Sequence, residues 1–124
     1  MNLNSIFPPD IATLAVAAEG LPDGVSGWTR ESLRLALDAL RGTKIAVLEI
    51  GVYDRVILGF APSNTFVPAE ESWSCWPTPH ETAPDFAIRS RREALEWIEK
   101  IERQEVLFVV TFSSQDTAAA ASGA

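Results

Sequence analysis

Leu33, Ala36, Leu37 and Leu40 stand at i, i+3, i+4 and i+7, one face of an α-helix, while Arg34, Asp38 and Arg41 fall elsewhere on the wheel. Thr29 offers a hydroxyl to an unpaired amide of the first turn and Gly42 is a stop, so a helix is predicted over about residues 30–41. A second stripe, Ala94, Trp97, Ile98 and Ile101 with Leu95 at its margin, follows Ser90-Arg91-Arg92-Glu93, which has the spacing of a capping box. That helix is predicted to start at Ser90. Near the N-terminus, Ile11, Leu14, Ala15 and Ala18 repeat with helical spacing behind Asp10 as a cap and before Gly20 as a stop, predicting a short third helix. Leu21-Pro22-Asp23-Gly24 reads as a turn.

The extended runs have a different texture. Lys44 to Ile50 is rich in β-branched residues and follows a glycine stop, so it reads as a strand that Val52-Tyr53 prolongs. Asp54-Arg55 is taken as the turn of a hairpin returning through Val56 to Phe60. Glu105 to Phe112 is almost unbroken in its apolar character, which suits a strand inside the sheet, in a right-handed crossover if its partner is parallel. Between them, residues 61–85 carry five prolines together with Phe66, Trp73 and Trp76, predicting a long ordered excursion with a short edge strand around Ser72 to Trp76. The fold expected is α+β: a small, mostly antiparallel sheet of about four strands on two main helices, with a short N-terminal helix. One domain is expected over residues 1–112, with a disordered tail over 113–124 that has no large apolar side chain.

Composition narrows the chemistry. With 124 residues, 47% of them hydrophobic, a single core suffices without metal or disulfide help. A lone cysteine and the lack of a basic, then apolar, opening segment lead to the expectation of a soluble cytoplasmic protein. No apolar stretch reaches the roughly 20 residues that a membrane span needs. A net charge of −7 repels phosphate backbones and anionic lipid, so neither nucleic acid nor membrane is expected as a partner.

Catalytic constellations are sparse. Cys75 and His80 are the sole residues of their types and lie five apart on a proline-broken segment, a poor basis for a nucleophile and its base. One Cys and one His leave too few soft donors for zinc, and Gly20 to Gly24 lacks the lysine of a phosphate loop, so no cofactor and no metal is expected. Paired acids such as Glu70-Glu71 or Glu81 with Asp85 read as solvated charge rather than as an acid and base.

A different pattern spans Val56 to Ile88, where Glu70, Glu71, Glu81 and Asp85 alternate with aromatic rings and no lysine or arginine occurs. Aromatic anchors ringed by charge of one sign suit a protein-docking surface, because Coulomb attraction speeds encounter and buried rings slow release. The competing account places both tryptophans in the core. Glu49, Tyr53, Asp54, Glu70, Glu71, Trp73, Trp76, Glu81 and Asp85 are the candidate partner-binding residues.

In the order of its pieces the chain resembles the immunity protein 40 family of bacterial polymorphic toxin systems. The resemblance covers about residues 30–112: the helix, Lys44-Ile45-Ala46-Val47-Leu48-Glu49-Ile50-Gly51-Val52-Tyr53, Glu71-Ser72-Trp73-Ser74-Cys75, Ser90 leading into Ala94-Leu95-Glu96-Trp97-Ile98, and Leu107-Phe108-Val109-Val110. The family commonly shows Leu-Gly-Gly-Asp-Val-Tyr where this chain has Leu48-Glu49-Ile50-Gly51-Val52-Tyr53, so any role of that aspartate either rests on Glu49 or is lost. The resemblance implies a non-catalytic, cytoplasmic protein that neutralises a cognate toxin by binding it, and the acidic charge of this chain leads to the expectation that the toxin domain it covers is basic. Two alternatives stand beside it: a small-molecule binder or enzyme with a pocket under residues 61–86, and a secretion chaperone or adaptor. A homodimer is left open, since the hydrophobic excess serves either a core or a dimer face.

Overall fold

The computed structural model describes residues 3–59 and 61–113. After a 3-10 turn at Leu3–Ser5 come helix α1 (Pro9–Ala12), helix α2 (Arg30–Ala39), strand β1 (Val47–Leu58), strand β2 (Ala61–Ser74), helix α3 (Ala83–Glu99) and strand β3 (Val106–Phe112). The architecture is α+β, with a three-stranded antiparallel sheet in the order β2-β1-β3 and three helices.

Helix α2 forms as its stripe predicts. Thr29 Oγ1 accepts from the Ser32 amide, and Leu33, Ala36, Leu37 and Leu40 are all buried. Helix α3 starts seven residues earlier than expected. Thr82 is its cap and Pro84 stands in its first turn, where a missing N–H leaves no helical bond unmade. Ser90 is therefore not a cap but a buried residue of the helix interior, whose Oγ accepts from the Val47 amide at 3.0 Å and donates to the Ala87 carbonyl. The short N-terminal helix is one turn only, and Asp10 lies inside it rather than at its cap, which is Pro8.

The sheet corrects four expectations. Asp54-Arg55 does not turn: β1 runs through both, because Arg103 pairs with Asp54 and Glu105 with Arg55, so neither charge needs a loop. Leu58 instead pairs with Ala61, and the hairpin closes around Gly59, whose φ of +63° suits a tight turn. The proline-bearing excursion begins as the 14-residue strand β2, an edge strand, with Pro68 beside a register shift that spares the ladder an N–H. Two expected strands thus merge into β1 and the sheet has three rather than about four. Finally, β3 is an edge strand antiparallel to β1, and β1 takes the centre. The apolar run of β3 is nonetheless explained by burial of Leu107 on one face and Phe108 and Phe112 on the other.

The helix-facing side of the sheet presents Val47, Ile50, Val52, Phe108 and Phe112 to Leu33, Leu37, Ala94 and Ile98, with Trp28 and Phe7 closing the core edge to face. Residues 16–28 lash the far end together. Trp28 exchanges both backbone hydrogen bonds with Phe108 on β3, Gly27 does so with Val16, and Glu19 reaches across to Asn64 and Phe66 of β2. Gly20 is required here, since its φ is +95° and a Cβ would stand 1.9 Å from the Phe66 carbonyl oxygen. Of the expected tail, Ser113 is buried and bonded in both directions to Ala46, and the remainder lies outside the described residues.

Candidate functional site

Strand alternation decides where the candidates of β1 go. Glu49 pairs with Ser74 and Thr111, Gly51 with Ser72 and Val109, and Tyr53 with Pro68 and Leu107, so all of these share the sheet face turned away from the helices. Glu49 and Tyr53 border a shallow hollow of about 320 Å³ there, floored by Gly51 and Val109. The run Leu48 to Tyr53 therefore places Glu49 and Tyr53 on the same open face.

The other candidates divide. Arg103 donates to Asp54 Oδ1 at 2.8 Å and to both carboxylate oxygens of Glu71 at 2.6 and 2.8 Å, with Glu70 beside them. The bonds from Arg103 hold the Glu71 carboxyl below the usual range. At the head of α3, Arg89 forms a fork with Glu81, bonds Glu93 Oε2 at 2.7 Å and donates to the Trp76 carbonyl at 2.8 Å. These bonds lower the Glu81 carboxyl to about 2. The cation-free stretch of sequence is thus not cation-free in space: Arg55 and Arg89, which flank it in the chain, and Arg103, beyond α3, fold onto it.

The rings divide as well. Phe66 and Phe86 are core residues, stacked under Arg55 and Arg89 respectively, and Trp73 is half-buried against both hydrophobic clusters. Trp76 is 63% exposed while its backbone is fixed by Arg89 and followed by Pro77. Asp85 is exposed one helical turn before Arg89. Cys75 is buried with its Sγ 3.3 Å from Arg89 Nη1, and burial pushes the thiol up, so it is a poor nucleophile; His80 is exposed. Among the described residues no three His, Cys, Asp or Glu side chains gather as a metal-ligand set.

Sequence reasoning passed over the N-terminal segment. The first 29 residues contain Asp10, Glu19 and Asp23 but no lysine or arginine, and residues 16–28 lie against the sheet. The signal was legible, since the same search for a cation-free stretch finds it. Together with Glu49, Glu70 and Asp85, these three acids make no ion pair among the described residues. Nine of the ten cations fall within residues 30–44 and 89–103, on or beside α2 and α3, whereas 11 of the 17 acids fall outside those segments. Most cations thus lie on or beside α2 and α3, although Arg55 and Arg103 reach acids of the sheet, and unpaired acids occur on the sheet, the N-terminal segment and the helices alike. No helix of the described residues is long and apolar enough to cross a membrane. No protein-family model, curated protein or solved structure matches this chain.

Proposed function

We propose that this protein is an immunity-type inhibitor, a non-catalytic cytoplasmic chain that binds a cationic toxin domain and covers its working surface. The charge carries the reading: the chain has a net charge of −7, and among the described residues Glu19, Asp23, Glu49 and Glu70, on the sheet or on the segment laid against it, make no ion pair. Such a surface draws in a basic partner at long range, and a nuclease toxin would offer one, because its substrate channel must attract phosphate. Glu49 and Tyr53 on the open sheet face and the exposed, backbone-fixed Trp76 are the contacts proposed to set specificity and residence time. Asp54, Glu71 and Glu81 take a supporting part, since their arginines already neutralise them and hold the surface in shape.

The test is co-expression with the toxin domain encoded in the adjoining reading frame. Cells should survive only with this chain present, and the purified pair should bind. Glu49→Lys should slow association, and Trp76→Ala should speed dissociation about tenfold or more, the scale of a hot-spot ring. A chain that neither protects nor binds refutes the proposal.

A further inference from the structure

Among the described residues, nothing pairs with the outer edge of strand β3 beyond Phe108. Phe108 exchanges both backbone hydrogen bonds with Trp28, so its N–H and C=O point away from β1. Alternation gives Val110 and Phe112 the same outward direction, and the inward bonds agree with it: the Ser113 amide donates to Ala46 and the Glu105 carbonyl accepts from Arg55, both on the β1 side. The ladder begun at Trp28 would next pair Ser26 with Val110, but no such bond forms among the described residues. The chain at Gly24 to Ser26 diverges there instead. A recess of about 560 Å³ opens between it and β3, lined by Gly24, Val25, Ser26, Val110 and Phe112 and bounded by Leu3.

We infer that this recess is a strand-docking slot, in which an extended, lysine- or arginine-bearing segment of a partner protein pairs with Val110 and Phe112 as a fourth strand of the sheet. Two outward N–H and two outward C=O groups at a two-residue repeat are matched by an extended backbone. Charge selects the kind of segment. Asp10 lies on α1 beside the Ala12 of the lining, Asp23 precedes Gly24, and Glu49 stands across from Thr111. Neither β3 nor the first 29 residues contain a lysine or arginine. Lys44, two residues before the Ala46 that holds Ser113, lies past the end of the slot. The apolar lining between Val25 and Phe112 receives aliphatic side chains on alternate positions. The identity of the partner as a toxin rests on the proposed function; the slot does not.

The experiment is amide hydrogen exchange followed by NMR on the full chain, with a capped hexapeptide of alternating lysine and valine as the probe. In the free chain the Val110 and Phe112 amides should exchange at least roughly tenfold faster than that of Phe108, and saturating peptide should slow both by a similar factor. The glutamate-valine peptide should have no effect. Val110→Pro, which removes an outward amide that bonds no described residue, should abolish binding of the basic peptide. Slow exchange at both positions in the free chain would show that another part of this chain already occupies the edge, and the inference would fall. It falls equally if the basic peptide protects neither amide or perturbs only the hairpin end at Ile57 and Leu58. In the toxin complex, exposed Val110 and Phe112 amides alongside tight binding would overturn the slot and spare the immunity reading. Peptide protection without toxin binding would do the reverse.

Discussion

Ser90 has no exposed surface, and its hydroxyl receives the amide of Val47 at the point where β1 enters the sheet. Ser90→Ala would leave that N–H buried and unpaired, so a loss of about 1–3 kcal/mol is expected in urea denaturation, the cost of an orphaned buried donor. Its neighbour Arg91 is buried too and donates to the carbonyls of Thr43 and Ile45, makes no ion pair among the described residues, and has its pKa lowered by burial. Both residues tie α3 to the chain leading into β1. Glu81 acts just before the N-terminus of α3. Its carboxyl titrates at about 2 in the folded chain because Arg89 bonds it, against ~4.3 for a free glutamate. A carboxyl held below its unfolded value lends stability that is complete above the unfolded pKa and vanishes as pH falls through the folded one. Glu81→Gln should therefore flatten the fall in stability between about pH 4.3 and 2, read from urea melts at stepped pH. An unchanged pH profile would show that the fork contributes nothing to folding.

At the scale of elements, the segment 16–28 has little regular structure and yet joins the two outer edges of the sheet. Gly20 controls one of its two attachments. Gly20→Ala meets both a positive φ and a backbone oxygen 1.9 Å away, whereas Gly24→Ala meets the φ of +74° alone, with nothing within 4 Å. Left-handed backbone by itself costs an alanine about 1–2 kcal/mol, so Gly24→Ala should lose about that much and Gly20→Ala clearly more. In Gly20→Ala the Phe66 amide, which donates to Glu19, should also lose its exchange protection, while that of Trp28 keeps it. Equal losses in the two variants would show that the close approach at Phe66 relaxes freely.

For the whole molecule, the consequence of a net charge of −7 is kinetic. Association with a cationic domain should slow steeply as salt rises from about 0.01 to 0.15 M, because the Debye length shrinks from about 30 to 8 Å, while dissociation stays nearly constant. Stopped-flow rates at several salt concentrations measure both. A salt-independent association rate would mean that the unpaired acids do not meet the partner.

Local pattern was enough for α2, where stripe, cap and stop agree and the helix forms where they put it. The stripe of α3 was legible too, although Ser90 imitates a cap and Pro84 imitates a break, because a serine hydroxyl and a proline ring have more than one structural use and only neighbouring strands select among them. Asp54 and Arg55 read as a turn for the same reason: a charged pair belongs in a strand once Arg103 and Glu105, about 50 residues away in the chain, supply the countercharges. The candidate surface follows that logic. Its residue types were visible in the chain, but which acids stay unpaired, which ring stays exposed and which edge of the sheet stays open depend on side chains brought together from distant positions, and charge neutralisation and burial are properties of that proximity alone.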